Sequence, residues 1–243
     1  MPHPESDESL LLICRLRVPA RAAGGRIGPV TVWDELVGQQ AAIEVLGAAA
    51  TDAAMATPGP AMTHAWLMTG PPGSGRSTAA RAFAAALMCP DGGCGQCADC
   101  RSVLAGSHLD VEVIRPEGVT YKTADARALV QRASMAPSRG KWHVLVLEDA
   151  DRLTETANNV LLKAIEEPPP RAVWLLCTPS VEDVLPTIRS RCRHIMLKTP
   201  TPTDVADFLV EAESVDATTA LFAAQASQGH VGRARALARD ENA

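Results

Sequence analysis

The sequence predicts an α/β fold in which helices cover both faces of a parallel sheet. Short apolar runs suited to buried strands alternate with helix-forming segments, an order typical of parallel sheets. The first such run, Ala65–Thr69, leads into a glycine-rich loop and a strong helix former. After Pro200 and Pro202 the pattern becomes purely helical, so a second, small all-helical unit is expected there.

The other elements follow from local patterns. Residues 51–63 contain Pro58, Gly59 and Pro60 and are expected to form a loop, and three prolines at 168–170 are expected to end a helix. Further strands are expected near 109–114, 144–147, 173–177 and 194–197. Helices are expected near 40–50, 77–87, 123–134, 155–165, 203–211, 217–226 and 231–239.

Composition narrows the classes of function. The 243 residues are 47% apolar, which is ample for a core, and the net charge of −5 argues against an autonomous, strongly basic nucleic-acid binder. Aromatic residues are only 3%, too few for a base-stacking platform. No apolar stretch reaches the length of about 20 residues that a membrane span needs, and the acidic N-terminus does not resemble a signal peptide. We therefore expect a cytoplasmic protein with no membrane partner.

Residues 70–77 nearly match the phosphate-binding loop G-x-x-x-x-G-K-[ST], with Arg76 in place of the lysine. Glycines let backbone N–H groups converge on phosphate oxygens, the helix start adds partial positive charge, and the Ser77 hydroxyl suits Mg²⁺. Arginine is planar and bulkier than the lysine ammonium, so the exchange is not conservative. Three outcomes stay open: phosphate binding without efficient hydrolysis, an empty vestigial loop, and a glycine-rich turn without a ligand.

Glu148 and Asp149 follow the apolar run at 144–147. P-loop ATPases place a carboxylate at such a strand end to hold Mg²⁺. In the subgroup with an Asp-Glu pair, the glutamate polarises the attacking water, but here the order is inverted. Asp149 is one methylene shorter than glutamate, and a displacement of about 1 Å can slow a reaction about 10²-fold. A degenerate catalytic pair is expected, the alternative being a solvated acidic strand end.

Four cysteines lie within twelve residues, separated by gaps of four, two and two residues. This spacing, with glycines between, is typical of tetrahedral thiolate ligation of zinc, and a closed four-thiolate set indicates a structural site. The ligands are Cys89, Cys94, Cys97 and Cys100. The remaining cysteines are expected to be small core residues: Cys14, Cys177 and Cys192.

Together these segments resemble the bacterial clamp-loader subunits of the AAA+ ATPase group, from about Val32 to the C-terminus. The motifs that carry the resemblance are WDELVGQ at 33–39, the P-loop, the cysteine insertion, the carboxylate strand, ANNVLLKAIEEPP at 157–169, Cys177-Thr178-Pro179, Ser190-Arg191-Cys192 and GHVGRA at 229–234. The resemblance implies an AAA+ P-loop sheet with a small helical lid domain.

The resemblance also implies roles for single residues. Alone, Arg191 would be taken as a surface charge, but in clamp loaders the Ser-Arg-Cys arginine projects into a neighbouring subunit's ATP site. Such an arginine finger stabilises charge on the transferred phosphoryl group. Thr178 is implied as a sensor-1-like residue. Nucleotide contacts are implied for Val37, Gly70, Gly73, Gly75, Arg76, Ser77, Thr78 and Arg233.

Two departures favour the delta-prime type within this family. Gamma/tau motor subunits have the P-loop lysine and Asp-Glu, whereas delta-prime subunits are often degenerate at their own site and keep the finger. The expected function is a stator subunit of DNA polymerase III with weak or absent ATPase activity, which completes a neighbour's ATP site while the sliding clamp is loaded on primed DNA. The alternatives are an active gamma/tau-type ATPase and a zinc-bearing adaptor with a vestigial nucleotide site.

The resemblance sets the expected organisation. Residues 1–28 are expected to be a disordered tail, 29–200 the AAA+ domain with a zinc module at 89–106, and 201–243 the lid. Family members continue into a helical collar, so the chain is interpreted as a fragment without it, monomeric in isolation. The implied cofactors are structural Zn²⁺ and weakly bound ATP with Mg²⁺. The implied partners are the gamma/tau and delta subunits, with the clamp and primed DNA reached through the complex.

Overall fold

A computed structural model describes residues 31–240, the last of them by its backbone only. The predicted tail at 1–28 and Cys14 lie outside these residues. Within the described part of the chain, no helix is long and apolar enough to cross a membrane.

Five parallel strands form one sheet, which confirms the predicted fold class. They are β1 (Ala65–Thr69), β2 (Val111–Ile114), β3 (His143–Leu147), β4 (Ala172–Thr178) and β5 (Arg193–Met196). The order is β2-β3-β4-β1-β5, so β1 lies between β4 and β5. Thr69 at the end of β1 is in register with Thr178 and Met196. The carboxyl ends of the strands therefore meet where the P-loop begins.

Nine α-helices are described between residues 31 and 240, together with short 3₁₀ helices at Val32–Glu35, Ala150–Arg152 and Val181–Asp183. The first six are α1 (Gln40–Ala54), α2 (Arg76–Met88), α3 (Ala98–Leu104), α4 (Thr123–Ala133), α5 (Glu155–Glu166) and α6 (Pro186–Arg189). The last three follow the sheet and are α7 (Pro202–Glu213), α8 (Ala217–Ala226) and α9 (Val231–Asp240).

Successive side chains of β1 point to opposite faces of the sheet, and both faces are buried. Trp66 and Met68 pack with α1, α2 and α3, and the Trp66 ring meets the Phe83 ring edge-on at 4.9 Å between centroids. Leu67 packs with α4, α5 and α6 on the other face. This double cover explains why the strand sequences are continuous apolar runs.

Helices α7, α8 and α9 have an apolar cluster of their own around Phe208 and Leu209. Val37 belongs to this cluster, whereas the adjacent Leu36 packs with α1 and α2. These two residues therefore join the helical unit to the sheet. The turn before α9 needs glycine, because a Cβ on Gly229 would lie 2.3 Å from the Pro200 carbonyl oxygen.

The structure corrects three expectations. The loop predicted at 51–63 is wrong at its start, because α1 continues to Ala54 and buries Ala53. The strand predicted from residue 109 begins at Val111, since residues 109 and 110 form a turn in which the Val111 N–H donates to the His108 carbonyl at 3.3 Å. Helices α3 and α6 were not predicted; the Cys97 sulfur caps α3 by accepting the Cys100 N–H, and Pro186 is the first residue of α6.

Candidate functional site

The P-loop follows β1 at the centre of the sheet edge. Gly70 donates its N–H to the Pro179 carbonyl at 3.1 Å, which ties the start of the loop to the end of β4. A Cβ on Gly70 would lie 2.4 Å from the Leu197 carbonyl oxygen, so only glycine fits between β1 and β5. Gly75 has φ of +91° and leads into α2, whose N-terminus faces the loop. This is the backbone arrangement that anion binding requires.

Arg76 occupies the position of the P-loop lysine, but its guanidinium turns back on the loop. The Nη1 atom donates to the carbonyl oxygen of Gly70. In the motif, lysine directs its ammonium at the phosphates. Part of the cationic donor capacity of this loop is therefore used within the loop itself.

Glu148, directly after β3, is buried and ion-paired. Its Oε2 atom lies 2.5 Å from Nε of Arg115, and its Oε1 atom lies 3.4 Å from Nη2 of Arg81 on α2. Burial opposes ionisation, yet the hydrogen bond and charge of Arg115, a Ser77 hydrogen bond and the Arg81 charge together lower the pKa of Glu148. The carboxylate is ionised and already neutralised by this chain.

Asp149 and Thr178 lie at the same sheet edge as the P-loop, because they stand at the carboxyl ends of β3 and β4, which are parallel to β1. Asp149 has the left-handed φ of 52°, and its Oδ2 atom lies 3.8 Å from Nε of Arg152. Thr178 is fully buried, and its hydroxyl donates to the Ser180 carbonyl at 3.2 Å. Both side chains therefore contact polar groups of their own segments.

A cleft of about 270 Å³ opens between the P-loop and the helical unit. The predicted nucleotide contacts Val37, Gly73, Gly75, Arg76, Ser77 and Thr78 line it. Gly70 is not among the lining residues and lies at the base of the loop. His230 packs directly over the loop. Its ring is so close to Gly73 that a Cβ added to this glycine would lie 2.7 Å from it.

Arg235, not Arg233, faces this cleft. Arg233 is exposed on α9. Residues two positions apart on a helix, such as Arg233 and Arg235, point in directions that differ by roughly 200°. Arg235 pairs with Glu35 at 2.8 Å and with Glu213, and its guanidinium lies 4.9 Å from the Phe208 ring centroid. Sequence reasoning missed Arg235. Arginines stand at 233, 235 and 239 of one short helix, and only the packing of α9 determines which of them faces the cleft.

Gln39 is a second residue whose role the sequence did not reveal. Its buried amide donates to the Ser74 carbonyl at 3.2 Å and to the Lys198 carbonyl at 2.6 Å, and it accepts the Lys198 N–H at 3.2 Å. Gln39 therefore fastens the P-loop backbone to the segment after β5. The sequence signal for Gln39 was its position in the motif at 33–39, but this motif did not indicate which groups its side chain contacts.

We expect Gln39→Ala to lower the free energy of unfolding by about 2–4 kcal/mol, because two carbonyls and one N–H lose a buried partner. Urea denaturation measures this. The matched control is Gln40→Ala, on the exposed neighbour, which should stay within about 0.5 kcal/mol of the parent. Equal effects of the two substitutions would contradict this role of Gln39.

Arg191 lies on the surface after α6. Its Nη2 atom pairs with Oε1 of Glu166 at 2.9 Å, and its Nη1 atom donates to the Thr187 carbonyl at 2.8 Å. Both charged side chains are about 40% exposed. The guanidinium is thus held in place by this chain while one side of it remains open to solvent.

The four predicted metal ligands come together. Their Sγ atoms all lie within 4.8 Å of one another. The Cys89 sulfur is 3.6 Å from that of Cys94 and 3.7 Å from that of Cys97. A tetrahedral thiolate site with metal–sulfur bonds of about 2.3 Å has sulfur–sulfur edges of roughly 3.8 Å. The cluster of Cys89, Cys94, Cys97 and Cys100 could hold a metal such as zinc.

Local hydrogen bonds suit these sulfurs to ligation. The N–H groups of Cys94, Cys97 and Cys100 each point at the sulfur of the preceding cysteine, at 3.3–3.4 Å. Backbone N–H groups of Gln96 and Cys97 lower the pKa of Cys94 to about 7, whereas burial raises the pKa of Cys97 and of Cys100. Outside the cluster, burial raises the pKa of Cys177 and Cys192 to about 12; Cys177 is a core residue, as predicted, whereas Cys192 is partly buried against the core.

The cysteine cluster is built onto the main core. Cys89 follows the last turn of α2, and Cys100 is fully buried against it. From the N-terminal side, Val32 donates its N–H to the Gly93 carbonyl at 3.0 Å, and Trp33 Nε1 donates to the Gly92 carbonyl at 3.3 Å. The loop is therefore fastened to the rest of the protein by its two ends and by residues 32–33.

Solved structures with the same fold include the RuvB Holliday junction branch migration motor of Thermotoga maritima. The TM-score is 0.63 at 21% sequence identity, over 87% of this chain and 64% of the motor. At this level of identity the likeness concerns the fold, and it supports the AAA+ architecture predicted from the motifs.

Relatives in sequence are subunits of DNA polymerase III. A gamma/tau subunit from Mycobacterium tuberculosis is 35% identical over 138 residues, which are 55% of this chain and 24% of the relative. A delta' subunit from Bacillus subtilis is 31% identical over 155 residues, which are 63% of this chain and 47% of the relative. The chain thus matches between about a quarter and a half of the length of these relatives.

The family that matches is described as DNA polymerase III, delta subunit, and the match covers residues 53–201. This range includes the P-loop, the cysteine cluster, the carboxylates after β3 and Arg191. The chain belongs to this family and is a member of the DNA polymerase III clamp-loader subunits.

Proposed function

We propose that this chain acts as a delta-prime-like stator subunit of the DNA polymerase III clamp loader. In this role it contributes little ATP hydrolysis of its own and completes the ATP site of a neighbouring subunit. The observation that carries the proposal is the state of its own site: Glu148 is neutralised by Arg115 and Arg81, and Arg76 replaces the P-loop lysine. A motor subunit needs the P-loop lysine and an available carboxylate at this strand end for its nucleotide.

Arg191 supports the second half of the proposal. It lies on the surface, is always charged, and is oriented by Glu166 and the Thr187 carbonyl. In a complex, the guanidinium would exchange Glu166 for the phosphates of a nucleotide bound to the adjacent subunit. We infer partners of the gamma/tau and delta types, contact with the sliding clamp and primed DNA through the complex, and a cytoplasmic location.

We propose Zn²⁺ as the metal of the cysteine cluster. Four thiolates at tetrahedral spacing select zinc among the common divalent ions, and they leave no position for a substrate. The ion would fix the loop between α2 and α3, which has too few apolar residues for a core of its own. We further propose an AAA+ unit at 29–200 and a lid at 201–243.

An active gamma/tau-type ATPase is the second candidate, favoured by the 35% identity to gamma/tau subunits. A zinc-bearing adaptor with a vestigial nucleotide site is the third. The three differ in nucleotide chemistry: the motor binds and hydrolyses ATP, the stator hydrolyses little, and the adaptor binds none.

We expect the purified chain to hydrolyse ATP at the rate of the buffer blank in single-turnover assays. Arg76→Lys combined with Glu148→Asp and Asp149→Glu should tighten nucleotide binding but leave turnover near background, because no neighbour supplies a finger to this site. A gamma/tau subunit is the positive control. Clear turnover by the unmodified chain would favour the motor instead.

A further inference from the structure

P-loop enzymes hold a magnesium ion between the hydroxyl of the loop and a carboxylate at a neighbouring strand end. In this chain those positions are Ser77 and Glu148. The fold family thus implies Mg²⁺ here, and the donor set can be tested against that ion. Magnesium needs oxygen ligands with free lone pairs in octahedral geometry.

The donor set does not fit magnesium. Each oxygen of Glu148 faces a guanidinium, Arg115 at 2.5 Å from Oε2 and Arg81 at 3.4 Å from Oε1. The Ser77 hydroxyl is hydrogen-bonded to the same carboxylate. Two permanent positive charges next to this carboxylate would also repel a divalent cation.

Hydrogen bonds to backbone groups hold the Arg115–Glu148 pair in place. Glu148 donates its N–H to the Ile114 carbonyl at 2.9 Å, at the end of β2. The buried Tyr121 hydroxyl bridges the carbonyls of Ile114 and Glu148, at 2.9 and 2.6 Å. Arg115 follows Ile114 directly, so these bonds fix the chain position of the guanidinium relative to the carboxylate.

We infer that the phosphate cleft of this chain works without a divalent cation. It takes the polyphosphate of a nucleotide as the metal-free anion, and Arg115 with Arg81 supplies the positive charge that Mg²⁺ would otherwise bring to Glu148. Neither Arg115 nor Glu148 lines the cleft, but Ser77 does, and Ser77 is hydrogen-bonded to Glu148. Arg115 therefore acts through Glu148 as a positioning residue. This inference concerns the chain's own cleft and does not depend on the role of Arg191.

The first test is calorimetric titration of ADP into the purified chain, once with millimolar Mg²⁺ and once in a buffer passed over a chelating resin, which removes Mg²⁺ without exposing the cysteine cluster to a chelator. The expected result is binding in both buffers, with dissociation constants that agree within about twofold. Tightening by tenfold or more in Mg²⁺ would overturn the inference, as would a lack of ADP binding in both buffers. Neither result would bear on whether Arg191 stimulates a neighbour.

The second test is Arg115→Ala, with Arg127→Ala on α4 as the matched control, since both arginines are exposed. Freed from Arg115, the Glu148 carboxylate can accept a metal, so ADP should bind Arg115→Ala at least fivefold more tightly with Mg²⁺ than in the magnesium-free buffer. Arg127→Ala should stay indifferent to Mg²⁺. Magnesium indifference of both variants would remove Arg115 from the inference. Thermal melting shows that both variants are folded, and Arg115→Lys should restore the parent behaviour.

Discussion

Arg191→Ala is expected to slow clamp-stimulated ATP turnover of the neighbouring subunit by about 10³-fold or more, the range known for arginine fingers. The measurement is steady-state ATP hydrolysis by the complex assembled with this chain. Melting temperature and assembly should not change. Arg191 and Glu166 form a half-exposed pair, and such surface pairs contribute about 0–1 kcal/mol to stability.

Two controls separate a finger from a surface charge. Arg189→Ala removes an exposed arginine from α6, two positions away, and should leave turnover unchanged. Glu166→Gln keeps the finger but removes its partner, so turnover should fall far less than in Arg191→Ala. If turnover survives in Arg191→Ala within an intact complex, Arg191 is not a finger and the stator proposal fails.

Loss of the cysteine-bound metal is expected to have the largest effect on the structure. The purified chain should contain one zinc atom, and Cys100→Ser should remove it. The free energy of unfolding should fall by about 3 kcal/mol or more, less than the about 10–16 kcal/mol of isolated zinc-finger peptides, because α2 stays packed. Zinc analysis, urea denaturation and amide hydrogen exchange measure these effects.

Exchange should accelerate at residues 89–106 and at Val32, whose backbone N–H donates to the Gly93 carbonyl, while β1 and β4 stay protected. The matched control is Cys192→Ser, which changes a cysteine outside the cluster and should retain the metal. Chain prepared without chelators that contains no zinc would contradict the assignment.

Most strands were predictable because both faces of the sheet are buried, which makes each strand a continuous apolar run in the sequence. β1 was predicted with its bounds, since five buried residues stand between His64 and Gly70. The cysteine cluster was predictable for a related reason: the four ligands lie close in sequence, so spacing alone constrains their geometry. Such local constraints do not need the rest of the fold.

The partners of charged residues were not predictable. Arg115 and Glu148 are 33 residues apart, and they meet only because β2 and β3 are adjacent in the sheet. Likewise, α1 extends into the start of the predicted loop, to Ala54, because Ala53 is buried in the core. Tertiary contacts decided each case, and composition does not encode them.

The central place of β1 in the sheet has a consequence for folding during synthesis. Thr69, the last residue of β1, contacts His194, 125 residues further along the chain. At about 5–20 residues per second, a ribosome needs roughly 6–25 s to deliver that partner. The Cys89 and Cys97 sulfurs are only 8 residues apart. The thiolates can therefore capture a metal while the strand that carries the P-loop still waits for both of its neighbours.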